Sequence, residues 1–224
     1  MLLALQSNII YGPVQSRRLG RSLGVNVLPV RQKICSFDCL YCQYGRLAPM
    51  NAAEAVKCEF PSVVEVLAAL EQALRNLPQP VNYITFSGNG EATLHPGFRE
   101  LVAGVRELRD RLSPAAKTAI LSNSTTVSDS HTREALGLLD VRIMKLDAGT
   151  QEMFVHYNRP AAGITLKDTV AGLALLEAVT IQSLFTKGPD GNFSQAHLAA
   201  WIEQVKKISP IIVQVYSLAR KSPP

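Results

Sequence analysis

Six apolar runs rich in β-branched residues recur along the chain, and stretches with helical periodicity separate most of them. The runs predict strands at 22–29, 81–88, 117–124, 141–148, 180–188 and 211–218. Helices are predicted at 62–77, 97–112, 130–139, 166–178 and 194–208, the first beginning with a capping box of Ser62 and Glu65. This alternation predicts an α/β fold with a mostly parallel sheet, either open and doubly wound or barrel-like.

The 224 residues and the 47% hydrophobic content are consistent with one domain spanning residues 1–224. Pro and Gly mark turns rather than a linker, and the sequence contains no evident repeat. No run approaches the roughly 20 apolar residues that a membrane helix needs. The opening "MLLALQSNII" has neither a charged leader nor a cleavage site, so we expect a cytoplasmic protein without a membrane partner.

Three of the four cysteines lie in "ICSFDCLYCQ", residues 34–43. The C-x3-C-x2-C spacing of Cys35, Cys39 and Cys42 places three soft ligands on one loop, which suits zinc or an iron–sulfur cluster. Structural zinc would need a fourth ligand such as Cys58 or His95. A four-iron cluster held by three cysteines would instead keep one iron open, as catalysis requires.

With Tyr41 directly before its last cysteine, "CSFDCLYC" resembles the signature of radical S-adenosylmethionine (radical SAM) enzymes. The resemblance implies a [4Fe-4S] cluster on the three cysteines, with SAM bound to the open iron. It also implies that SAM is cleaved reductively to a 5′-deoxyadenosyl radical, which abstracts a substrate hydrogen. The expected electron donor is a reductant such as flavodoxin or ferredoxin, and the expected fold is a partial (β/α)6 TIM-like barrel.

Downstream, "TFSGNGEATLHP" resembles the Gly-Gly-Glu loop that holds the amino group of SAM in that family. The corresponding residues here are Gly88, Asn89, Gly90 and Glu91, with Ala92 in place of a frequent proline. Glycines let backbone approach a ligand, and a carboxylate accepts hydrogen bonds from an ammonium group. The competing interpretation is a simple glycine-rich turn.

Polar residues also follow the next two predicted strands. Ser122, Asn123 and Ser124 are placed to contact the ribose or the methionyl carboxylate. Lys145 and Asp147, two residues apart, project to one face. They form either a cofactor-binding pair, with Asp147 at a ribose hydroxyl, or an ion pair at the mouth of the sheet.

The formal charge is +5, and residues 1–60 hold seven Lys or Arg against three acidic residues. Clustered positive charge attracts anions such as RNA or a phosphorylated metabolite, although a solvated loop explains the same pattern. The candidates for substrate contacts are Arg17, Arg18 and Arg21, together with Arg159 in "VHYNRP", where a structural turn is the competing interpretation.

Residues 11–29 resemble a radical SAM branch grouped with wyosine-type tRNA-modifying enzymes, which favours RNA modification. A glycyl-radical activase acting on a partner protein is the enzymatic rival. The non-enzyme alternative is a zinc-stabilised nucleic-acid-binding module that uses Cys58 as fourth ligand. Otherwise Cys58 is expected to be an ordinary thiol, and no catalytic residue is assigned.

Overall fold

The computed structural model describes residues 2–218. Seven strands in this range form one sheet. The strands are β1 (Ile10–Ser16), β2 (Gly20–Val25), β3 (Tyr83–Phe86), β4 (Lys117–Ser122), β5 (Val141–Lys145), β6 (Val179–Leu184) and β7 (Ile212–Tyr216). They follow one another in chain order; β2 to β7 are parallel, and β1 pairs antiparallel with β2. The six parallel strands and their connecting helices confirm the α/β fold and the partial (β/α)6 arrangement.

Seven helices connect the strands within the described residues. They are α1 (Ala52–Ala55), α2 (Val63–Arg75), α3 (Phe98–Leu112), α4 (Ser130–Gly137), α5 (Gln151–Asn158), α6 (Leu166–Ala174) and α7 (Gln195–Ile208). The capping box of Ser62 and Glu65 forms as predicted and begins α2. None of the helices in residues 2–218 has both the length and the apolar character needed to cross a bilayer.

The core lies between the sheet and the helices that cover it. Ile84, Ile120 and Met144 on adjacent strands are completely buried, as are Leu70 and Leu101 on two covering helices. Burying each such side chain contributes about 1.5–3 kcal/mol. This layer holds the carboxyl ends of the parallel strands at one edge of the sheet.

Three elements were not predicted from the sequence: β1, α1 and α5. β1 is a half-exposed edge strand that contains Gly12 and Pro13, so it lacks the apolar alternation typical of a strand. The short α5 covers "VHYN" and ends at Asn158, and Arg159 leaves the helix in a left-handed conformation just before Pro160. Residues 155–158 are therefore helical, and the turn before Pro160 is confined to Arg159.

Most of the predicted strands extend too far at their carboxyl ends. The stretches 26–29, 87–88, 123–124, 146–148 and 185–188 were predicted as strand but leave the sheet. Three of the stretches stay partly apolar because the side chains they contain are buried: Val27, Leu28, Leu146, Ala148 and Phe185. Their backbone turns instead into the loops that form the candidate site.

Candidate active site

The carboxyl edge of the sheet opens onto a cavity of about 660 Å³. Loops that follow β2, β3, β4 and β5 converge there, because parallel strands bring their carboxyl ends to one edge. Twelve residues predicted from the sequence line this cavity: Arg17, Arg18, Cys35, Cys39, Tyr41, Cys42, Gly88, Gly90, Glu91, Ser122, Asn123 and Lys145.

The cysteine loop and the glycine loop are joined by backbone hydrogen bonds. The Ile34 N–H donates to the Asn89 carbonyl at 3.0 Å, and the Glu91 N–H donates to the Ile34 carbonyl at 2.9 Å. Gly90 lies between these bonds with φ of +138°, and a Cβ there would be 1.8 Å from the Ile34 oxygen. Only glycine permits this close approach of the two loops.

Glu91 links the glycine loop to the loop after β4. Its side chain is almost completely buried at 1% exposure. One carboxylate oxygen accepts from Thr93 N, Thr93 Oγ1 and Ser122 Oγ at 2.6–3.1 Å, and the other accepts from Asn123 N at 2.6 Å. Burial raises the pKa of Glu91, while hydrogen bonds from Asn123 and Thr93 oppose that shift. These contacts make the carboxylate a positioning group that fixes Asn123.

Each cysteine sulfur of the motif lies within hydrogen-bond reach of one side-chain nitrogen. The pairs are Lys33 Nζ with Cys42 Sγ at 3.1 Å, Asn123 Nδ2 with Cys35 Sγ at 3.5 Å, and Asn158 Nδ2 with Cys39 Sγ at 3.5 Å. The donors come from three different parts of the chain. Such contacts orient metal-ligating sulfurs and stabilise negative charge on them.

The donor set fits an iron–sulfur cluster. Burial and the nearby Cys39 raise the pKa of Cys35 to about 12, and burial raises that of Cys39 to about 11. Thiols of this kind bind metal with release of their protons. Among residues 2–218 no three His, Cys, Asp or Glu side chains converge closely enough to hold a single metal ion. Cys58 instead contacts Met50, with 3.9 Å between the sulfurs, and does not line the cavity.

A charged cluster closes the floor of the cavity beside Cys39. Lys145 Nζ lies 3.4 Å from Asp147 Oδ2 and donates to Tyr216 Oη at 3.0 Å, and the Tyr41 hydroxyl also donates to Asp147. Burial lowers the pKa of Lys145, but Asp147, Tyr216 and Cys39 together outweigh burial, so the pKa is raised. Lys145 therefore remains a cation at the edge of the site.

The sequence matches the profile of the radical SAM superfamily over residues 30–192, which includes both loops of this site. The chain belongs to the radical SAM superfamily. A UPF0026 protein of Synechocystis is 31% identical over 219 residues, which cover 96% of this chain and 77% of that protein. The superfamily resemblance seen in the sequence is thereby confirmed.

Two solved structures share the fold. The chain aligns with anSMEcpe bound to AdoMet with a TM-score of 0.62 and 15% identity, covering 87% of this chain and 51% of that one. It aligns with Streptococcus suis SuiB bound to the precursor peptide SuiA with a TM-score of 0.61 and 16% identity, covering 87% and 39%. The chain thus spans about half or less of these two solved chains.

Five residues predicted to contact the radical SAM cofactor or its substrate do not line this cavity: Asn89, Ser124, Asp147, Arg21 and Arg159. Asn89 is completely buried and bonds to Gln6 and Pro29 instead. Ser124 donates to the Lys145 carbonyl, and Arg21 contacts Gln79.

Asp147 is buried and engaged by four donors, so the structure shows the ion pair that was the alternative to a ribose contact. His95, named above as a possible fourth zinc ligand, bonds to the Pro61 carbonyl at 2.9 Å and accepts from Gly97 N. Neither Asp147 nor His95 lines the cavity.

Lys33, Gln182 and Tyr216 also line the cavity, although the sequence did not predict them as site residues. Lys33 lies only two residues before Cys35, and this proximity is the one signal that would have indicated it. Gln182 and Tyr216 belong to β6 and β7, and nothing local distinguishes them from other strand residues. Their role depends on the order of the strands in the sheet.

Proposed function

We propose that this protein binds a [4Fe-4S] cluster through Cys35, Cys39 and Cys42 and SAM in the adjoining cavity. It then uses the 5′-deoxyadenosyl radical to abstract a hydrogen atom from a substrate. The observation that carries this proposal is the convergence of the cysteine loop with three strand-end loops around one cavity of about 660 Å³. A cavity of this size is sufficient for a cofactor-sized ligand.

The residues have separable roles in this proposal. The three cysteines hold the cluster, and Lys33, Asn123 and Asn158 donate to their sulfurs. Gly88 and Gly90 let the backbone approach SAM, and Ser122, Asn123 and Lys145 provide polar contacts at the strand ends. When bound, the cluster supplies the electron that cleaves SAM.

The test is anaerobic reconstitution with iron and sulfide, followed by reduction with SAM and measurement of 5′-deoxyadenosine. Cys39→Ala is expected to lose the cluster and the product. Cys58→Ala is the matched control, because Cys58 lies outside the cavity, and it should retain both. Full product from Cys39→Ala would refute the mechanism.

For the substrate we propose RNA, and the reaction is then a nucleoside modification. Support comes from Arg17 and Arg18, which lie in the turn between β1 and β2 and line the cavity. Arg18 also stacks on Tyr216, with 5.1 Å from its guanidinium carbon to the ring centre. Cations at a cavity mouth attract a phosphate backbone, so binding to tRNA should weaken steeply with salt.

A protein substrate, as for a glycyl-radical activase, is the second candidate. The observation that favours it is β7, where Ile212, Val213 and Val215 are 41–55% exposed beside the cavity. Apolar side chains on an edge strand are suited to pairing with another chain. Competition by tRNA for 5′-deoxyadenosine formation would favour RNA, whereas stable co-purification of a protein partner would favour the activase.

A further inference from the structure

A second cavity of about 670 Å³ adjoins the first at the same edge of the sheet. The two share Tyr41 and Leu218 as a common wall. The second cavity lies between the outer side of the cysteine loop, the end of α5 and the loop after β6. Anything bound there would therefore sit next to the proposed cofactor site.

The lining of the second cavity is cationic. Arg46, Arg159 and Lys187 contribute to it, and Asp190 is the one carboxylate among its described lining residues. Asp190 is 80% exposed and faces His156, with 3.7 Å between Oδ1 and Nε2. With Asp38 behind the two arginines, three cations face two carboxylates, so a net positive charge remains at the cavity.

Two guanidinium groups converge at this cavity on a single carboxylate oxygen. Asp38 Oδ2 lies 3.2 Å from Arg46 Nη1 and 3.8 Å from Arg159 Nη1. Both arginine side chains remain 41–45% exposed, and among residues 2–218 the contact of Arg46 Nη1 with Asp38 is their only side-chain hydrogen bond. A guanidinium carries five donors, so most of the donors of the two groups are free to bind a ligand.

The position of Arg159 is held by strained backbone. It ends α5 with φ of +48°, in a left-handed conformation that glycine usually occupies. The Asp38 N–H donates to both the Asn158 and the Arg159 carbonyl at 3.1 Å. Asn158 thus points to the Cys39 sulfur while Arg159 points to the second cavity. Strain retained at such a position is typical of functional sites.

We propose that the second cavity binds an oxyanion of the substrate, a phosphate or a carboxylate, through Arg46 and Arg159 with Lys187. The anion fixes the substrate so that its reacting part lies beyond Tyr41, at the cofactor cavity. This inference rests on the proposed radical SAM function, because that function supplies the neighbouring reaction site. Bidentate guanidinium contacts give such a subsite geometric selectivity.

The test uses the reconstituted protein, with inorganic phosphate and acetate as separate probes at constant ionic strength. A saturable rise in the unfolding temperature measures binding, since a ligand stabilises the state it binds. The double variant Arg46→Gln/Arg159→Gln is expected to bind the preferred probe at least 10-fold more weakly. Lys187→Gln, which leaves Asp38 and its partners intact, should weaken binding several-fold.

Arg111→Gln is the matched control, because Arg111 pairs with Glu71 on the remote helical surface and should bind as the wild type does. Saturable binding of phosphate or acetate that depends on Arg46 and Arg159 supports the subsite, and the preferred probe identifies the anion. No saturable binding to the wild type, or equal binding to the double variant, overturns it. Absence of 5′-deoxyadenosine from the wild type would instead refute the radical SAM function, independently of anion binding.

Discussion

Gly90→Ala tests whether close contact between the glycine loop and the cysteine loop builds the site. The new Cβ would lie 1.8 Å from the Ile34 carbonyl oxygen and 2.6 Å from its carbon, both of which are backbone atoms. The two loops would have to separate. That movement would break the hydrogen bonds from Ile34 N to Asn89 O and from Glu91 N to Ile34 O.

The expected cost follows from these contacts. An L-residue at φ of +138° costs about 1–3 kcal/mol, and each lost hydrogen bond costs about 1 kcal/mol. The total of about 3–5 kcal/mol is a large part of the 5–15 kcal/mol that typically stabilises a domain. For a chain of this size it corresponds to a fall in Tm of about 6–20 °C.

Gly163→Ala is the matched control for Gly90→Ala. Gly163 also has a positive φ, +84°, but a Cβ added there would have no heavy atom within 4 Å. The control should cost only about 1–2 kcal/mol and leave iron binding unchanged. The measurements are thermal unfolding and iron content after reconstitution. If the two variants lose the same stability and bind the same iron, the loop contact does not build the site.

Three further predictions concern single side chains. Asn158→Leu removes the donor to Cys39 Sγ, so the reduction potential of the reconstituted cluster should become more negative. The measurement is a redox titration followed by electron paramagnetic resonance, and an unchanged potential would contradict the hydrogen bond. Glu91→Ala should lower SAM affinity and destabilise the fold by about 1–3 kcal/mol, because it leaves the buried Asn123 N–H without an acceptor. Glu91→Gln should recover part of that stability in thermal unfolding. Equal losses of stability in both variants would argue against a positioning role for Glu91. Asp140 accepts hydrogen bonds from Thr118 N and from Arg109. Together these contacts outweigh burial and lower the pKa of Asp140. The contribution of Asp140 to stability is therefore complete above the unfolded pKa near 3.9 and disappears as pH falls through the folded pKa. Asp140→Asn should therefore be less stable than wild type at pH 7, and this difference should shrink as pH falls below about 3.9; a constant difference in thermal unfolding across that range would refute this linkage.

Much of the sheet could be predicted because each buried parallel strand has a local signature of β-branched residues. The six predicted strands all correspond to observed ones, from β2 to β7. β1 could not be found in this way, because an edge strand with Pro13 buries too little to impose a pattern. The short α5 likewise has only two turns, and its stability comes from packing against the cysteine loop.

The candidate cluster ligands and the glycine loop could be predicted from the sequence, because three cysteines and closely spaced glycines are local features. The directions of the neighbouring side chains could not be predicted from the sequence. Asn89 lies between two glycines of the loop, yet its side chain turns away to hold Pro29. Asp147 follows a strand as a ligand-binding residue would, yet Tyr41 and Asn158 already occupy its carboxylate.

The sequence by itself determined the order of most strands and helices, the cysteine loop and the superfamily, because these depend on residues close together in the chain. Only the tertiary structure decided which side chains donate hydrogen bonds to the cysteine sulfurs and which arginines lie together at Asp38. Lys33, Asn123 and Asn158 reach three neighbouring sulfurs from parts of the chain up to 125 residues apart. Arg46 and Arg159 meet at Asp38 for the same reason: the parallel sheet brings distant strand ends to one edge, and no local pattern records which side chains will face each other there.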